Sequence, residues 1–137
     1  MNDQAPAAFP WPPYYGHFNF FEARMRGHGR IKAMSASAEG VYDLTLTTGV
    51  SIRVFICECY SFGAAEYVET TSKLGRLDAI IINSAWCGYT SDAKRTARAE
   101  KVGLYKIGDF MAALNRPNLW DYLNEGEKEA FKKKGWL

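Results

Sequence analysis

The chain has 137 residues, 47% of them apolar and 15% aromatic, with a formal net charge of +2. That composition excludes a disordered chain and suits one domain with a substantial core. The near-neutral charge removes any global case for nucleic acid, so such a case must rest on local clustering. No run reaches the roughly 20 apolar residues of a membrane span, and the N-terminus lacks a basic segment followed by an apolar one. A cytoplasmic protein with no membrane partner is therefore expected. The three cysteines, Cys57, Cys59 and Cys87, form neither a disulfide framework nor a zinc set, and read as free buried thiols.

Residues 1–17 hold four of the five prolines and read as an aromatic, proline-rich arm that lies on its own domain or on a partner subunit, as in a homodimer. Residues 18–137 read as a single domain. Phe18 to Arg26 has helical spacing, with Phe21 and Met25 on one stripe and Glu22 between them. Arg30 to Ala38 alternates as a strand, and Glu39-Gly40 turns into a hairpin from Val41 to Tyr60. In that hairpin Thr48-Gly49 makes the turn, because glycine takes positive φ without a Cβ clash. Its second arm is apolar on both faces as far as Glu58, the pattern of a central strand covered on both sides.

After Tyr60 the period changes. Ala64 to Leu74 is a helix stopped by Gly75. Leu77 to Asn83, a short continuous apolar run, reads as a buried parallel strand. Thr90 or Ser91 caps a helix through Lys101. Val102 to Ile107 follows as a strand and Gly108 to Asn115 as a helix. Asn124 with Glu127 then opens a last helix carrying Phe131, with Lys132 to Lys134 in its final turn. The expected fold is α/β: a mixed sheet with an antiparallel three-strand start and one or two parallel strands, helices on both faces.

Two clusters carry chemistry. Asp43 and Glu58 lie on the two arms of the hairpin, and paired carboxylates at one sheet end suit a hard divalent cation such as Mg²⁺. Ordinary ion pairs with Arg53 or Lys32 are the plain alternative. Lys94, Arg98 and Lys101 recur at helical spacing with Arg95 beside them, near Trp86 and Tyr89. Such a stripe holds a phosphate backbone while an aromatic stacks on a base, unless it is simply a solvated face.

This order of elements, and the segment from Asn83 to Leu114, resemble the restriction-endonuclease-like (PD-(D/E)xK) superfamily, the latter half being similar to Mrr-type domains. The resemblance implies metal-dependent phosphodiester hydrolysis, with Mg²⁺ or Mn²⁺ held by Asp43 and Glu58, and by Glu22 where some members carry an additional acid. The chain departs from the pattern in having Tyr60 where the superfamily has its lysine, and no proline before Asp43. Lys73 on the next helix is the candidate replacement cation, with Glu66 and Glu69 as weaker metal contacts. Two functions follow from it: a nucleic-acid-acting nuclease with a degenerate site, or an inactive scaffold binding a protein or nucleic acid, such as a phage or mobile-element inhibitor or adaptor.

Overall fold

The computed structural model describes residues 15–137. Its elements are α1 (Tyr15–Arg26), β1 (Ile31–Ala38), β2 (Val41–Leu46), β3 (Ser51–Cys57), β4 (Ser61–Phe62), α2 (Ala64–Leu74), β5 (Ala79–Ile82), β6 (Gly88–Tyr89), α3 (Ser91–Ala99), β7 (Gly103–Tyr105), α4 (Ile107–Ala113), a 3₁₀ turn (Leu119–Asp121) and α5 (Glu125–Lys133). The first helix begins three residues before the expected start at Phe18. The expected arm otherwise lies outside the described residues.

The main sheet runs β1-β2-β3-β5-β7. β1, β2 and β3 pair antiparallel, and β3, β5 and β7 pair parallel. The fold is therefore the expected mixed α/β sheet. β3 is central, which explains why it tolerates no polar position between Val54 and Cys57. β5 is buried along its whole length between two parallel neighbours.

Strand parity sorts the core into two layers. On one face Val41, Phe55, Cys57, Ile80, Ile82 and Leu104 pack with Tyr67 of α2 and Ala93 and Ala97 of α3. On the other Tyr42, Leu44, Val54, Ile56, Ile81 and Tyr105 pack with Phe21 and Met25 of α1 and Phe110 and Ala113 of α4. A two-stranded parallel ribbon, β4 with β6, extends the carboxyl end of the sheet. Two-residue strands carry no periodicity, so the sequence reading shows only loops there.

The terminal signals take the expected form. Gly49 sits at φ +91° in the β2–β3 turn. Gly75 ends α2, its N–H donating to the Thr71 carbonyl. Asn124 caps α5 by accepting the Glu127 N–H, and the Glu127 carboxylate accepts the Asn124 N–H in return. All three cysteines are free and buried, and burial pushes the Cys57 thiol well above its ordinary range. Among the described residues no helix is long and apolar enough to cross a membrane.

Candidate functional site

The carboxylates expected to share a cation do not converge. In the β2–β3 register Asp43 stands opposite Arg53, five residues before Glu58, a separation of about 16 Å along the strand. The two also face apart. Asp43 has the parity of Val41, whose side chain joins the layer beneath α2 and α3. Cys57 and Cys59 on either side of Glu58 join that same layer, so Glu58 turns to the opposite face. Asp43 is instead bound by Arg53, whose Nε donates at 2.9 Å, and this bond holds its carboxyl below the usual range.

Glu22 is engaged elsewhere as well. It accepts the Tyr42 hydroxyl at 2.8 Å and pairs with Arg26. Burial and the Glu22 carboxylate together push the Tyr42 hydroxyl upward. Lys73 pairs with Glu69 on α2, a helix packed on the face away from Glu58. Glu66 accepts the Gly63 N–H at the start of α2. The sheet register thus sets Asp43 apart from Glu58, while Glu22 and Lys73, expected with them as third ligand and catalytic cation, are each engaged with other partners. No group of three His, Cys, Asp or Glu side chains placed to hold a metal ion occurs among the described residues.

The basic stripe of α3 divides in two. Lys94 is 1% exposed and cannot touch a phosphate backbone. Its Nζ donates to the Leu104 carbonyl at 2.6 Å, lies 3.8 Å from the Tyr105 ring centroid and 3.8 Å from Glu127 Oε2. Desolvation lowers its pKa to about 8, against the opposing pull of Glu127 and Asp109. Tyr89 belongs to the same buried cluster and donates its hydroxyl to Glu127. Helical spacing did not reveal this, because α5 folds over that side of α3 and converts a nominal surface lysine into a core one.

The other three cations come together. Arg95, Arg98 and Lys101 line a groove of about 360 Å³ with Ala99, Trp120, Phe131 and Trp136. The Arg95 guanidinium lies 4.5 Å over the Trp136 ring, with Lys134 5.0 Å from that ring, and Arg98 lies 6.0 Å from Trp120. Arg98 is oriented by Asp121, whose Oδ1 accepts from it at 2.8 Å. Its Nε–H is nevertheless buried and meets no acceptor among the described residues, an unmet charged donor in a groove wall. Stacking on an indole fixes a guanidinium in plane and leaves its N–H edge free for oxyanions. Trp120 and Trp136 escaped the sequence reading, which gave Lys134 only as part of the last turn of the final helix, since the 3₁₀ turn after α4 and the segment after α5 meet beside α3 only in the fold.

Trp86 lies elsewhere. It is 60% exposed at the carboxyl end of the sheet, where Tyr60 is 79% exposed, and the neighbouring Gly88 N–H donates to the Tyr60 carbonyl. Comparison with protein-family models, curated proteins and solved structures finds no match for this chain.

Proposed function

We propose that this chain is a nucleic-acid-binding protein that holds a single strand in the groove between α3 and α5 without cutting it. One observation carries this. Three cations, one with an unmet buried N–H, share a groove wall with two tryptophans. Backbone neutralisation by Lys and Arg combined with base stacking on aromatics is how sequence-tolerant single-strand binders work. An endonuclease-like ancestry accords with the antiparallel opening and parallel continuation of the sheet. The separation of Asp43 from Glu58 favours binding over hydrolysis.

The test is anisotropy of labelled single-stranded DNA and RNA across a salt series. Three phosphate contacts give a log–log slope of about −2, and Arg95→Ala makes it shallower by about 0.7. Trp120→Ala or Trp136→Ala weakens binding by about 1–3 kcal/mol for each stacked base. Asp43→Ala, Glu58→Ala and Lys73→Ala leave affinity unchanged, and plasmid incubated with the protein in Mn²⁺ stays intact. Metal-dependent cleavage lost in the Asp43→Ala/Glu58→Ala protein would restore the hydrolytic expectation. Absence of binding to either strand tighter than about 100 µM would leave the scaffold role, with an acidic protein segment as the groove's occupant.

A further inference from the structure

A second cavity, on a different part of the molecule, is lined by two buried polar atoms that meet no partner among the described residues. It lies at the carboxyl ends of β5 and β7, has a volume of about 320 Å³, and is lined by Phe20, Ile82, Asn83, Ser84, Ala85, Lys106 and Ile107. In open α/β sheets the carboxyl ends of parallel strands are where ligands settle, and the volume is at the small end for a ligand pocket.

Asn83 is only 6% exposed, yet its Nδ2 meets no acceptor among the described residues. The Ser84 Oγ is likewise buried without a partner among those residues. Buried polar atoms in folded proteins are nearly always satisfied, so two adjacent unsatisfied ones lining a cavity need an account. Ser84 also sits at φ +84°, and the loop holding it is tied down by Lys106. That lysine's Nζ donates to the carbonyls of Ser84 and Cys87, both at 2.6 Å. An ammonium has three N–H donors, so these two bonds leave one for a ligand. Among the described residues the uncommitted donors at the cavity are thus the Asn83 Nδ2, the Ser84 hydroxyl and the third Lys106 N–H, beside the apolar side chains of Phe20, Ile82 and Ile107.

We propose that this cavity binds a small amphipathic anion, in which an apolar body sits against Phe20, Ile82 and Ile107 and a carboxylate or phosphate head accepts from Asn83, Ser84 and Lys106. The chemistry of the lining selects an acceptor-only, negatively charged head and disfavours a neutral amide, which would bring its own N–H groups against donors.

The experiment is a titration of the ¹⁵N-labelled full chain with benzoate, phenyl phosphate and neutral benzamide, followed through the Asn83 side-chain amide and the Ser84 backbone amide. One or both anions should give saturable shifts with a Kd near or below about 1 mM. Benzamide should bind at least about tenfold more weakly. Saturation by benzoate alone assigns a carboxylate head, and by phenyl phosphate alone a phosphate head. Ser84→Gly, which also relieves the positive φ, and Asn83→Ala should each weaken anion binding about tenfold, and either variant suffices if the other does not fold. Three results would overturn the proposal: no saturable shift with either anion, equal binding of benzamide, or unchanged anion affinity in a folded variant.

Discussion

At the scale of single residues, the burial of Lys94 has a consequence that pH exposes. In the unfolded chain its amine titrates at the ordinary 10.5, whereas in the fold, faced by Glu127 of α5, Asp109 of α4, Arg98 of its own helix and the rings of Tyr89 and Tyr105, it titrates at about 8. Between those values the unfolded state binds more protons than the native state, so stability rises with pH across the window. Other groups act in the opposite sense. Cys57, with an ordinary value of 9.0, and Tyr89, Tyr67 and Tyr105, at 10.0, are all raised by burial, and each draws stability down above its unfolded value. A difference measurement separates the terms. Comparing wild type with Lys94→Met by urea unfolding, the gap should shift in favour of wild type by about 1.4 kcal/mol per pH unit between pH 8 and 10. A flat difference would mean that the amine keeps its charge in the fold.

At the scale of elements, two turns of similar appearance should respond differently to one methyl group. Gly40 and Gly49 both have positive φ, but a Cβ on Gly40 would lie 2.9 Å from the Ile56 carbonyl oxygen and 3.3 Å from the Phe55 ring, while one on Gly49 meets nothing within 4 Å. Gly49→Ala should therefore cost only the left-handed penalty, about 1–2 kcal/mol. Gly40→Ala should cost distinctly more in the same denaturant titration, because backbone beside the central strand must move. Both turns were legible from glycine and the change of period around it. The difference between them was not, since it depends on how close β3 approaches. The cap of α5 was legible in the same way, through Asn124 and Glu127. Asn124 also donates from Nδ2 to Asp109 at 2.8 Å, joining α5 to α4. Its replacement by alanine should lower stability by about 1–2 kcal/mol, at the upper end for a lost cap, and a melting curve that does not move would rule out that join.

At the scale of the whole molecule, the limits of the sequence lie where distant segments meet. The succession of elements along the chain, the central place of β3 and the buried run of β5 follow from period and apolarity alone, because those patterns record burial. Whether Asp43 and Glu58 share a face depends on register and on the course of the backbone beyond Cys57, where β3 ends, and neither is written in their spacing. The groove is a composite in the same sense: α3 supplies Arg95 and Arg98, the turn after α4 supplies Trp120, and the segment after α5 supplies Trp136, held edge-on to Phe131 at 5.1 Å between centroids. Phe131 is almost wholly buried and anchors α5 against the domain, so Phe131→Ala should cost about 3 kcal/mol of stability. It removes no charge, yet by freeing Trp136 it should also weaken single-strand binding by a factor comparable to Trp136→Ala itself. Arg95→Ala, on the exposed rim, should weaken binding while leaving the melting temperature nearly unchanged. Measured together by anisotropy and thermal unfolding, the two variants separate the groove from the fold that forms it. Intact affinity in a folded but destabilised Phe131→Ala protein would show that the strand does not use the wall built by α5.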